Sequence, residues 1–209
     1  MYLTRMRLDI SKRKCLMALS APNLFHGAVE NAFTERSRKL WRIDRLAGER
    51  YLLLVSDEKP DLRAAAEQFG TEQGWESRSY DSFLHTIHKG DRRRFRVTAN
   101  PVISKSSGHG ERGTVLAHVT YAQQEKWLAD RAEKNGFSLL PGEFSVTSSE
   151  WVTFRKRKEN GMTVHFKKTT FEGILTVTDA DLFREMLCNG MGREKAYGCG
   201  LMTVLKNES

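Results

Sequence analysis

Apolar and charged residues alternate at the start of the chain, with Tyr2, Met6, Leu8 and Ile10 on one side and Arg5, Arg7 and Asp9 on the other. That period of two predicts a half-buried strand over 2–10. After Pro22 the period changes. Phe25, Ala28, Val29, Ala32 and Phe33 fall at i, i+3, i+4, i+7 and i+8, one stripe of a helix whose first turn holds the proline. Trp41 and Ile43 alternate with charges in a second strand, Gly48 turns, and the unbroken run Tyr51-Leu52-Leu53-Leu54-Val55 reads as a buried third. Pro60 opens a helix carrying Leu62, Ala65, Ala66 and Phe69, and the region from Trp75 to His88 supplies a fourth strand. The order is βαββαβ, the ferredoxin-like pattern.

The same order follows a second time. Phe95-Arg96-Val97-Thr98-Ala99 starts it as a strand, behind the basic run Arg92-Arg93-Arg94. Ser104-Lys105-Ser106-Ser107-Gly108-His109-Gly110 has loop composition, and a helix is expected over 121–134, stopped by Gly136. Phe144 and Val146, then Val152 and Phe154, then Val164 and Phe166 alternate with polar residues, and Ile174-Leu175-Thr176-Val177 leads to a helix capped by Asp179 and a last strand at 201–205. The expected fold is therefore α+β, two tandem ferredoxin-like (RRM-like) βαββαβ domains at 1–90 and 91–209. The second has an added hairpin at 151–168 and a glycine-rich loop at 190–200. No repeat is visible residue by residue, so the duplication rests on element order and apolar period.

Composition narrows the partner. A formal charge of +8, from 34 Lys and Arg against 26 Asp and Glu, favours a polyanion through counterion release, nucleic acid first. No apolar run is long enough to span a bilayer and no signal peptide is read at the N-terminus, so a cytoplasmic location without membrane contact is expected. Cys15, Cys188 and Cys199 are odd in number and widely spaced, which supports neither a disulfide framework nor a zinc ribbon. Free thiols, no metal and no cofactor are expected.

Three stretches can carry chemistry. The loop Gly190-Met191-Gly192-Arg193-Glu194-Lys195-Ala196-Tyr197-Gly198-Cys199-Gly200 packs four glycines and two cations between a helix and a strand. Such a loop can approach and cradle a phosphate backbone, with Lys195 contributing charge, or simply form a long connection. A Walker loop and a dinucleotide fingerprint both precede their helix, so mononucleotide chemistry is disfavoured. The second stretch is the hairpin around Asn160-Gly161, whose tip carries Arg155, Lys156, Arg157 and Lys158, with Lys167 and Lys168 on its return arm. A solvated turn and a contact with a phosphate groove both fit it, and the chain's charge favours the groove. The third is histidine. His85 and His88 lack a third metal ligand, His109 sits in a glycine and serine loop, and His118 and His165 stand alone. His26 lies in the first turns of its helix, rotated away from the buried stripe, where it can face a cleft at the positive dipole end. No aromatic RNP pattern is found, so basic elements, not base stacking on a sheet, are expected to hold RNA.

With these residues in place the whole chain resembles the CasE-type CRISPR repeat endoribonucleases, the RNA-processing subunits of type I-E surveillance complexes. The resemblance rests on Met1-Tyr2-Leu3, on Pro22 to His26 followed by Ala32-Phe33, and on Phe95-Arg96 to Ala99-Asn100-Pro101. Most specific is Phe171-Glu172-Gly173-Ile174-Leu175-Thr176-Val177 running on to Gly190-Met191-Gly192, Lys195 and Gly198-Cys199-Gly200-Leu201. It implies two ferredoxin-like domains, cleavage of the repeat transcript at the 3′ base of its hairpin, and retention of the product. His26 matches the family's catalytic histidine. Asn23 stands where the family usually has a tyrosine, in a catalytic or RNA-positioning place, so a hairpin-binding structural subunit without catalysis is the competing expectation. The implied partners are pre-crRNA, mature crRNA and the other subunits of the complex. The implied route, without metal, is attack of a ribose 2′-hydroxyl on the adjacent phosphodiester, leaving a 2′,3′-cyclic phosphate and a 5′-hydroxyl. A DNA-binding module rests on charge alone.

Overall fold

Strand β1 (Tyr2–Leu8) lies inside the first sheet, hydrogen-bonded antiparallel to β3 (Glu49–Ser56) on one side and to β4 (Gly70–Ser79) on the other. With β2 (Lys39–Leu46) at the edge the order is β2-β3-β1-β4, the ferredoxin-like arrangement. The computed structural model describes residues 1–35, 37–105, 114–156 and 161–207. The first strand stops at Leu8, short of Ile10, because the Asp9 carboxylate accepts both the backbone N–H (2.9 Å) and the hydroxyl (2.6 Å) of Ser11 and turns the chain. An unexpected helix, α1 (Arg13–Ser20), follows, and then α2 (Asn23–Glu30), with Pro22 just ahead of its first turn. Helix α3 (Arg63–Phe69) starts three residues after Pro60. The fourth strand ends at Ser79, not near His88. The Tyr80 N–H bonds to Met1 O at 3.0 Å and the chain turns into α4 (Asp81–Leu84), leaving His85 and His88 behind a helical turn.

The second sheet repeats the order with β11 (Met202–Lys206), β5 (Arg92–Ala99), β10 (Thr163–Val177) and β8 (Phe137–Ser138), while β9 (Phe144–Arg155) pairs along most of β10. Helix α5 (Tyr121–Ala132) opens with a capping box between Thr120 and Gln123, and α6 (Ala180–Asn189) with Asp179 accepting two backbone N–H groups at 3.0 Å. The chain is thus an α+β protein of two tandem ferredoxin-like folds. One addition was not expected: β6 (Val102–Lys105) and β7 (Thr114–Ala117) pair as a hairpin on either side of the segment read as a loop, so Ser104 and Lys105 are strand residues. His109 and the rest of that segment from Ser106 lie outside the described residues.

Alternation in β3 divides the core. Leu52 and Leu54 face α2 and α3 in a cluster with Met6, Phe25, Val29 and Phe69, while Leu53 and Val55 face the other way, clustered with Phe183, Met186 and Leu187 of α6. The opposite face of the first sheet is therefore closed by a helix of the second half. Polar groups tie the same seam. Arg42 of β2, 1% exposed, makes a bidentate pair with Asp44 at 2.7 and 2.6 Å and donates to Arg96 O, Leu201 O and Thr203 Oγ1 at 2.9, 2.7 and 2.7 Å. A sequence reading places Arg42 among the solvated charges of β2. Its carbonyl partners come from β5 and the approach to β11, so only the tertiary fold reveals it.

Candidate functional site

The rotation of α2 is set by Phe25, which packs its ring 5.9 Å from that of Trp41 and 5.1 Å from that of Phe69. His26, one residue on, is turned about 100° from that contact and leaves 37% of its side chain exposed. Asn23 stands nearly one turn earlier on the same side, its Oδ1 buried without a hydrogen-bond partner. No side chain caps the N-terminus of α2, although the Leu24 N–H is already taken by Ala21 O at 2.9 Å. Behind His26, the Glu30 carboxylate approaches Nδ1 at 3.9 Å and is held at 3.2 Å by the Lys39 ammonium, whose side chain is 2% exposed.

The glycine-rich loop meets this helix from the other half of the chain. Gly190, Gly192, Gly198 and Gly200 all take positive φ. A side chain would also crowd its neighbours: a Cβ on Gly190 would sit 2.6 Å from the Leu40 side chain, one on Gly198 3.0 Å from the Trp41 ring, and one on Gly200 2.8 Å from Met191 O. Close approach to this protein's own chain thus explains those glycines. Lys195 donates to Asn189 O (2.8 Å) and Gly190 O (3.0 Å), filling carbonyls left open at the end of α6. Burial pulls its ammonium below the ordinary range, and Arg38 adds to that effect. It fastens the loop. Burial likewise pushes the Glu194 carboxyl up, against the opposing pull of Arg193 and Lys156, and pushes the fully buried Cys199 thiol to about 12, which leaves no thiolate at neutral pH.

So fastened, the loop presents Tyr197. Its ring lies edge-on to His26, 6.2 Å between centroids, and packs against Phe154 at 5.0 Å and Phe166 at 6.0 Å on the inner face of the β9–β10 hairpin. The part of the β9–β10 hairpin next to its turn, the loop and α2 therefore converge on one small apolar cluster with the histidine at its border. Charge borders it too. The Lys156 ammonium is 6.0 Å from the Tyr197 ring, and Arg155 lines a groove of ≈ 400 Å³ together with Asn23. Arg157, Lys158 and Asn160 lie outside the described residues. On the return arm Lys167 stacks its ammonium 5.1 Å over the Trp151 ring, and Lys168 approaches Glu150 at 3.9 Å.

Tyr197, Glu30 and Lys39 gave no usable signal in the chain. Tyr197 was visible only as an aromatic inside a glycine loop, and a strand lysine offers no hint that its ammonium is buried. Chemically, the arrangement offers a half-exposed imidazole, a helix N-terminus without a side-chain cap and cations beside it. No three-residue cluster of metal-ligating side chains occurs among the described residues, and no described helix is long and apolar enough to cross a membrane.

A family model described as CRISPR associated protein matches residues 1–206. The chain is 32% identical, over 218 aligned positions, to the CRISPR-associated endoribonuclease Cse3 of Thermus thermophilus, covering 98% of this chain and 99% of that one. Among solved structures, CRISPR endoribonuclease Cse3 bound to a 19-nucleotide RNA matches with a TM-score of 0.80 and 27% identity, over 98% of this chain and 100% of that one. Thermus thermophilus Cse3 bound to an RNA representing a pre-cleavage complex matches with a TM-score of 0.80 at 26% identity, over 98% of each chain.

Proposed function

The chain belongs to the CRISPR-associated protein family, as a CasE-type member, and from that premise we propose that it is an endoribonuclease that binds the stem-loop of CRISPR repeat RNA and cuts at the 3′ base of the hairpin. The observation that carries the proposal is the meeting of His26 with Tyr197 of the glycine-rich loop beside a basic hairpin. Residues 1–90 contribute the histidine and residues 91–209 the hairpin and loop, so RNA bound across both halves brings its backbone to the N-terminal end of α2. His26 serves as general base or acid for attack of the 2′-hydroxyl on the neighbouring phosphodiester, without metal, giving a 2′,3′-cyclic phosphate and a 5′-hydroxyl. In-line positioning and nearby cations supply the remaining acceleration. Lys195 acts through the loop it fastens. The product stays bound as the chain takes its place in a type I-E surveillance complex.

A single 2′-deoxy substitution at the scissile nucleotide tests the nucleophile. Binding is expected to persist and cutting to stop, whereas cutting of the deoxy substrate would assign the attack to another oxygen. The hairpin is tested separately. Arg155→Ala with Lys156→Ala should weaken RNA binding and reduce the slope of log K against log salt by roughly 0.7–0.9 for each phosphate that the variant no longer neutralises. An unchanged slope would return both cations to the role of solvated charges.

Asn23 favours a second reading, a subunit that binds the hairpin without cutting it. Its amide cannot replace a phenol in proton transfer, and its Oδ1 has no partner in the protein. Tight binding with no cleavage by the wild type, and cleavage restored by Asn23→Tyr, would decide for that reading.

A further inference from the structure

The glycine-rich loop has a second end, away from Tyr197, where Gly192 and Arg193 border a cavity of ≈ 480 Å³ walled by α5 and β6. Its volume lies within the range of small-molecule pockets. Two lining side chains are buried with polar atoms unused: Asn100, 4% exposed, with its Oδ1 acceptor, and Trp127, 2% exposed, with its Nε1–H donor. Buried polar groups are ordinarily paired, so an acceptor and a donor without a protein partner in the wall of one cavity are groups that a ligand or ordered water reaching them could satisfy. The wall is planar and cationic. Arg131 lays its guanidinium 4.3 Å over the Trp127 ring and is fixed there by donating to Trp127 O at 3.0 Å. Gly192 keeps the loop against that ring, since a Cβ there would come within 3.2 Å of it. Arg193, on the exposed side of the loop, adds a guanidinium suited to a phosphate.

From these features we infer that the cavity is a subsite for one unpaired ribonucleotide of the bound RNA, next to the hairpin. Unstacked bases are recognised by aromatic or guanidinium planes together with donors and acceptors that read the base edge; here the Arg131 guanidinium supplies the plane, held on a Trp127 ring that itself stacks against Phe171. A strand that brings its scissile phosphate to His26 passes close by. The four peptide links from Arg193 to Tyr197 span at most about 14 Å, a distance that a few nucleotides cover. The inference rests on the RNA-processing reading and adds to it a contact outside the stem.

The test uses three non-cleavable RNAs, the repeat hairpin alone and the hairpin with unpaired nucleotides on its 5′ or its 3′ side, with adenosine monophosphate as the free-nucleotide probe. Wild-type protein should bind one of the flanked RNAs about tenfold more tightly than the bare hairpin, the scale of one stacked base. Ser104→Phe fills the cavity from an exposed strand position and should abolish that advantage while leaving bare-hairpin affinity unchanged. Arg193→Ala, on the exposed loop, should reduce the same advantage and serves as the second variant. Equal wild-type affinity for all three RNAs, or an advantage that survives both substitutions, overturns the subsite. Adenosine monophosphate binding at the cavity without competition from flanked RNA also overturns it, in favour of a free nucleotide. Failure of the wild type to bind even the bare hairpin would overturn both this inference and the RNA-processing reading, so the two failures are distinguishable.

Discussion

Replacing His26 with Ala is expected to lower single-turnover cleavage of the repeat hairpin by about 10²–10⁴, the range for loss of a positioned general acid or base. RNA affinity should change little. The side chain is partly exposed and borders the site without filling its core: Phe25 and Val29 hold α2, and Tyr197 is packed by Phe154 and Phe166 whether or not an imidazole is present. The two effects therefore separate in a measurement of rate at saturating protein beside a measurement of dissociation constant. A variant that cuts within a few-fold of wild type would remove His26 from the chemistry. One that loses affinity and rate together would make it a binding residue. Glu30, 3.9 Å from Nδ1 and anchored by Lys39, places a negative charge beside the ring.

Arg42→Ala is the substitution expected to cost most stability, about 3–5 kcal/mol, because it leaves the buried Asp44 carboxylate without its bidentate partner and with only Arg96, at 3.9 Å, beside it. The loss extends beyond the pair. Arg96 O, Leu201 O and Thr203 Oγ1 lose their donor at the seam between the two halves of the chain. Changing both members, Arg42→Met with Asp44→Leu, should cost much less than Arg42→Ala alone, since burial of an apolar pair carries no unpaired charge. Urea unfolding of the three proteins checks this. A drop of under about 1 kcal/mol for Arg42→Ala would show that water reaches Asp44 and that the seam is held by its apolar contacts. Because Leu201 lies next to Gly200, loosening this seam should also disturb the loop that presents Tyr197.

The strands were legible where one face is buried and the other is not, as in β1 and in the inner face of the β9–β10 hairpin. Helix α1 was not, because only Cys15 and Ala18 are buried while Leu16 and Met17 remain exposed, so no stripe marks it. The β6–β7 hairpin escaped for a similar reason. Ile103, Val115 and Leu116 are all largely exposed, and a serine- and glycine-rich stretch lies between its arms. At the site, the apolar stripe of α2 was enough to turn His26 away from the core. What faces it was not legible, since Tyr197 arrives through a loop whose path depends on Lys195 binding the end of α6 and on Gly198 clearing Trp41. Charge and glycine content left the loop readable either as a phosphate cradle or as a long connection. Its close contacts show it bound mainly to this protein's own chain.

The most direct test of metal-independent cleavage is to incubate the wild-type protein with the cognate repeat hairpin in excess EDTA and identify the new RNA ends. The expected result is a cut at the 3′ base of the stem that leaves a 2′,3′-cyclic phosphate on one fragment and a 5′-hydroxyl on the other. A 3′-hydroxyl at the cut, or cleavage that appears only when a divalent metal is restored, would contradict a histidine-assisted 2′-hydroxyl attack at this site.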